Sequence, residues 1–124
     1  MPCSSAYVAI ASVELDRLVA FYRDLLGQAP QPHWPQRYAE FNQGGFKLGL
    51  FKPQASHTDE FSSHHPGAMS LCLEVTDLDQ AIAHLTELGY PPPGPILTTS
   101  HGREIYAYDP DGNRLILHQP PKAG

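Results

Sequence analysis

The chain has 124 residues, 41% of them hydrophobic, enough for a core of ordinary size in one domain or in two small halves sharing one core. Its formal charge of −5, with only eight Lys and Arg and no run of them, argues against a nucleic-acid or anionic-membrane surface and suits a neutral or cationic small molecule better. Residues Met1 to Ser5 lack the basic and apolar regions of a signal peptide, and no apolar run approaches a membrane span of about 20 residues, so a cytoplasmic protein is expected. Cys3 and Cys72 are far apart and differently placed, which disfavours a disulfide framework or a Cys-based zinc site. Cys3 reads as a free thiol near the N-terminal end, and Cys72 as a small buried residue filling space rather than a nucleophile.

In chain order, Ala6 to Ala11 suits a first strand with Val8 and Ile10 on its core face. From Leu15 the period changes: Leu15, Leu18, Val19, Tyr22, Leu25 and Leu26 recur at three- and four-residue steps, an amphipathic helix started by Ser12 and Glu14 and stopped by Gly27. Gln28 to Pro35 is an irregular or edge segment, because proline cannot donate to a ladder. Arg37 to Asn42, the turn at Gly44-Gly45 and Phe46 to Phe51 form a hairpin. Pro53 to Gly67 is polar and reads as a linker, its His57, His64 and His65 as solvated loop residues rather than metal ligands.

The order then repeats. Met69 to Val75 is a strand, and Leu78, Ile82, Leu85 and Leu88 mark a helix capped by Thr76 or Asp77 and stopped by Gly89. Pro110 and Gly112 place a tight connection over Asp109 to Asn113 between two final strands, with Leu115 and Leu117 on one face and Arg114, Ile116 and His118 on the other. An offset of 63 lays Ser70 on Tyr7 and Leu78-Asp79 on Leu15-Asp16; an offset of 67 lays Ile116 on Gly49, and Tyr106-Ala107 matches Tyr38-Ala39. The expected organisation is a single domain of two copies, about 6–53 and 68–120, joined by a linker over 54–67. Each copy has one apolar sheet face to cover, which predicts helices outside and a cleft within. Its inner wall is expected to carry Tyr7, Tyr38, Gly49, Phe51, Ser70, Cys72, Glu74, Glu104, Tyr106, Ile116 and His118.

A strand followed by Glu14-Leu15-Asp16-Arg17 and Phe21-Tyr22, the duplicate with Val75-Thr76-Asp77-Leu78, and Asp109-Pro110-Asp111-Gly112-Asn113 before the last strand together resemble the glyoxalase/bleomycin-resistance/dioxygenase superfamily, also called vicinal oxygen chelate. The resemblance spans about Tyr7 to Gln119. It implies an α+β fold of tandem βαβββ modules forming a cupped, eight-stranded, barrel-like sheet around a small-molecule site. Many such enzymes hold a divalent metal with His, Gln or Glu on the first and last strands of each module. The matching positions here are Tyr7, Gly49, Ser70 and Ile116, none a competent ligand of that kind. The resemblance is therefore to members that bind ligands without metal, and analogy with short members implies a homodimer.

The expected function is metal-independent binding of a compact, partly aromatic ligand in the central cleft, with no cofactor, against Tyr7, Tyr38, Phe51, Ser70, Tyr106, Ile116 and His118 and with Trp34 as a further candidate. Glu40 and Glu104 read as exposed, with an inward carboxylate that attracts a cation as the alternative. His118 is either a general acid/base or ligand donor, or a rim histidine bonded to a neighbour. The rival function is a diverged lyase or isomerase using His118 and tyrosines as acid and base; a module binding another protein is a third.

Overall fold

The computed structural model describes residues 1–62 and 67–122, so His64 and His65 lie outside the described residues. The chain divides into two compact units, residues 1–62 and 63–124. Each holds a four-stranded sheet and one long helix in βαβββ order, an α+β fold built twice.

In the first unit, β1 (Val8–Ala11) runs into α1 (Leu15–Leu26), and β2 (His33–Trp34), β3 (Tyr38–Gln43) and β4 (Phe46–Phe51) follow. The sheet order is β1-β4-β3-β2, with β1 parallel to β4 and the other pairs antiparallel. Glu14 stands at the helix start without a side-chain cap, and just ahead of it the buried Ser12 hydroxyl accepts from the Glu14 N–H at 3.2 Å. The helix buries Leu15, Leu18, Val19, Phe21 and Tyr22, and the Tyr22 ring meets Phe41 of β3 at 6.5 Å between centroids. Alternation along the strands sends Ala39, Phe41, Leu48 and Leu50 to this covered face, all fully buried.

The second unit repeats the plan with β5 (Leu71–Glu74), α3 (Leu78–Leu88), β6 (Leu97–Thr99), β7 (Gly102–Tyr108) and β8 (Arg114–Gln119), in the sheet order β5-β8-β7-β6. Asp77 is the N-cap of α3, its carboxylate accepting from the Gln80 N–H at 3.0 Å, and the Gln119 amide oxygen takes the Leu78 N–H at 2.7 Å. Leu78, Leu85, Ile105, Ala107, Leu115 and Leu117 form the covered layer. No helix among the described residues is long and apolar enough to cross a membrane.

Four details differ from the sequence reading. The first strands are shorter than the spans 6–11 and 69–75 expected, so Tyr7 and Ser70 sit just ahead of β1 and β5 rather than inside them. The polar stretch after Pro53 contains a 3-10 turn (Ala55–His57) and a short helix, α2 (Thr58–Phe61). Cys72 is exposed, not buried, because it alternates away from the helix-covered face. Finally, Gly49 pairs with Glu40 whereas Ile116 pairs with Tyr106, so the equivalent of Tyr106 is Glu40 and that of Tyr38 is Glu104. The two-residue turn of the first hairpin and the longer Asp109–Asn113 connection of the second account for the slip; the displacement from the Tyr38-Tyr106 match is an even number of residues, so the faces are unaffected.

That second connection is organised by one carboxylate. Asp109 is 3% exposed and accepts from the Asp111 N–H at 2.9 Å, the Asn113 N–H at 2.9 Å and the Asn113 side-chain amide at 2.8 Å. Asp109→Ala leaves these donors without their acceptor and is expected to lower unfolding free energy by about 2–3 kcal/mol, the cost of losing charge-assisted bonds at a buried site. Urea denaturation measures this, and a loss below about 0.5 kcal/mol would mean that the turn is held by its backbone alone.

Candidate functional site

The helix-free face of the first sheet is laid out in rows by the strand register. One row is aromatic: Trp34 pairs with Tyr38, and Tyr38 with Phe51. The Trp34 and Tyr38 rings lie 5.8 Å apart, and Phe61 of α2 meets Phe51 edge-on at 5.2 Å. The next row is Glu40, Gly49 and Ala9, a carboxylate beside two positions with almost no side chain. The third brings Asn42 alongside Lys47, whose ammonium stands 5.3 Å from the centre of the Tyr7 ring.

Glu40 is the hub of this face. Its side chain is 16% exposed, and its carboxylate accepts the Tyr38 hydroxyl at 2.9 Å and the Asn42 amide at 3.4 Å, with Lys47 Nζ at 3.8 Å. The reading of Glu40 as exposed is thereby corrected, since the flanking Tyr38 and Lys47 close over it. Tyr38 also covers Gly49: a Cβ there would stand 3.0 Å from the phenol oxygen. Burial, the hydrogen bond to Glu40 and the negative charge of Glu40 push the Tyr38 phenol up to about 12.

On the helix-free face of the second sheet, Glu104, His118 and Glu74 form one row, and Tyr106, Ile116 and Cys72 the next. Glu104 is half-buried beside His118 rather than exposed. His118 Nδ1 faces Glu74 Oε1 at 3.4 Å and Nε2 faces the His101 carbonyl at 2.8 Å, so both ring nitrogens meet acceptors. The turn carrying His101 closes tightly at Gly102, with φ of 124° and a would-be Cβ 2.1 Å from the Gln119 carbonyl oxygen, a place for glycine alone. Ser70 Oγ accepts from Arg114 Nη1 at 3.3 Å.

The structure thus brings Tyr7, Tyr38 and Phe51 onto one face of the first sheet, and Ser70, Tyr106, Ile116 and His118 onto one face of the second. The sequence reading did not find Phe61, Lys47 or His101. Phe61 was the one aromatic in a polar stretch, a signal that was available; the roles of Lys47 and the His101 carbonyl depend on register and turn geometry.

The four positions at which metal-dependent relatives of the fold hold an ion do not fit one here. Gly49 and Ile116 offer no donor, the Ser70 hydroxyl is bonded to a guanidinium, and a lysine ammonium stands over Tyr7. Among the described residues no group of three or more His, Cys, Asp or Glu is placed to hold a metal.

Tyr38 gives a pH signature. A phenol raised in the folded state contributes stability that is whole below its unfolded pKa of about 10 and is lost as pH rises through the folded value of about 12. Unfolding free energy is therefore expected to fall between these pH values more steeply in the wild type than in Tyr38→Phe. Parallel curves from chemical denaturation would show that the phenol is not shielded.

Residues 4–117 match the sequence model of the Glyoxalase/Bleomycin resistance protein/Dioxygenase superfamily. No curated protein matches the chain. Among solved structures, a glyoxalase-related enzyme from Fulvimarina pelagi is similar at 23% identity and TM-score 0.76, over 96% of this chain and 90% of that one. Lactoylglutathione lyase from Agrobacterium tumefaciens is similar at 25% identity and TM-score 0.70, over 96% of each chain. The fosfomycin resistance protein FosX from Mesorhizobium loti has 16% identity and TM-score 0.71, over 98% of this chain and 95% of that one. With its paired βαβββ units and a family match running through nearly its whole length, the chain belongs to the glyoxalase/bleomycin resistance protein/dioxygenase superfamily.

Proposed function

We propose that the protein is a metal-independent small-molecule binder that takes a compact, at least partly aromatic ligand on the helix-free faces of its sheets. Tyr7, Tyr38 and Phe51 in the first unit, and Ser70, Tyr106, Ile116 and His118 in the second, are the residues assigned to it. The observation that carries this reading is at Gly49, a residue with no donor atom whose side-chain space is taken by the Tyr38 phenol. Support comes from the aromatic row Trp34, Tyr38 and Phe51, a flat surface that binds rings by burial and offset stacking.

The lyase or isomerase alternative is less well supported by the same contacts. Burial and Glu40 push the Tyr38 phenol up to about 12, which makes it a weaker acid than an ordinary tyrosine, and His118 Nε2 lies 2.8 Å from the His101 carbonyl rather than open to a substrate. The proposal extends to a cytosolic homodimer, on the grounds of composition and family analogy; light scattering decides the second point.

Two measurements test the reading. Elemental analysis of protein purified without an affinity tag is expected to find no stoichiometric divalent ion, whereas about one Zn, Ni, Mn or Fe per chain, lost on substituting residues of the helix-free faces, would restore the enzyme alternative. Titration of aromatic compounds against wild type, Tyr106→Ala and His118→Ala is expected to show weakening, for Tyr106→Ala by roughly two- to twelve-fold, equivalent to about 0.5–1.5 kcal/mol for one ring pair. Unchanged affinity in both variants for a compound that binds would place the site elsewhere.

A further inference from the structure

The rows of the first sheet specify more than an aromatic surface. Glu40 stands centrally with Gly49 and Ala9 beside it; the Tyr38 ring roofs Gly49, so the open ground of this row is at Ala9, which is exposed. On one side the Tyr38 ring leans over Gly49 with its hydroxyl on Glu40 and Trp34 next to it; on the other, beyond Lys47, lies Tyr7, a residue 53% exposed. A partly buried carboxylate between aromatic faces is chemically a receptor for an ammonium group.

The protein already places a cation there. Lys47 Nζ is 5.3 Å from the Tyr7 ring centre, within cation–π range, and 3.8 Å from Glu40 Oε1. Its hold is loose: the lysine side chain is 41% exposed and its distance to the carboxylate is near the limit of an ion pair, a kind of contact that contributes little. The Tyr38 hydroxyl and the Asn42 amide fix the carboxylate in place independently of the lysine.

We infer that this face selects organic cations, and that the Lys47 ammonium is an internal occupant which the ammonium of an aromatic ligand displaces. The inference rests on the ligand-binding reading above and names the ligand class. Adjacent rows on one face are two residues apart, about 7 Å along the strand. The Tyr38 hydroxyl already reaches Glu40 at 2.9 Å, so a ligand ring lying against Tyr38 and Trp34 needs only a short tether to bring its ammonium to the carboxylate, as in an arylethylamine. The chain's charge of −5 favours such a ligand at long range as well.

The test uses three compounds of one shape: tryptamine, neutral tryptophol and anionic indole-3-propionate, titrated into isotopically labelled protein and followed at the backbone amides of Glu40, Gly49 and Ala9. Tryptamine is expected to bind at least tenfold more tightly than the other two. Glu40→Gln is expected to erase that preference while tryptophol still binds, and Lys47→Met to tighten tryptamine several-fold without moving tryptophol. Equal binding of all three, or tightest binding of indole-3-propionate with a loss in Lys47→Met, overturns the cation assignment and leaves aromatic binding standing. No response of these amides to any of the three compounds overturns the assignment and counts against an aromatic site on this sheet.

Discussion

The burial of one sheet face under a long helix governs the rest of each unit. In each unit a single helix covers one face, and the strands answer with Ala39, Phe41, Leu48 and Leu50 in the first unit and Ile105, Ala107, Leu115 and Leu117 in the second, all essentially out of water. Burial of such side chains is worth about 1.5–3 kcal/mol each for the larger ones, so register cannot slip by one residue without losing the layer. The same alternation delivers the intervening residues to the opposite face, where packing does not dictate their identity. That opposite face is where this chain carries Tyr38, Glu40, Lys47 and Phe51 in the first unit and Glu104, Tyr106 and His118 in the second.

The two units have used this freedom differently. In the first, one carboxylate gathers a phenol, an amide and an ammonium around it, with aromatic rings on either side. In the second, a histidine is caught between a carboxylate and a backbone carbonyl, beside a half-buried Glu104 and an aliphatic Ile116. Neither arrangement resembles the symmetric ligand shell that the duplication would supply if both copies kept the same chemistry. In the first unit the contacts converge on Glu40, and in the second His118 also ties down the turn that closes at Gly102.

Most of the fold was legible because it is written in local periodicity. The helix stripes, the glycine stops at Gly27 and Gly89 and the final turn each have a short-range cause, and the face on which Ile116 and His118 lie follows from parity alone. The candidate site was legible only as a list of which residues share a face. Three things escaped. The equivalence of Tyr106 with Glu40 rather than Tyr38 depends on how many residues each hairpin turn consumes, which a match of two letters does not reveal. The exposure of Cys72 and the shielding of Glu40 invert the usual habits of those residue types, because neighbours rather than intrinsic polarity decide them. Phe61 reaches Phe51 from a four-residue helix too short to announce itself by period.

The phenol lying over Gly49 also constrains how this chain can change. A side chain at position 49 would bring its first carbon to 3.0 Å from the Tyr38 phenol oxygen, closer than ordinary contact, so the ring would have to give way. Shortening Tyr38 alone strips Glu40 of its hydroxyl partner and leaves a hole beside a residue that has nothing to fill it. The two positions, on adjacent strands, are therefore coupled, and substitutions at them are expected to be non-additive. What can stand at position 49 is thus set by where the Tyr38 ring lies, and the ring in turn by its hydrogen bond to Glu40.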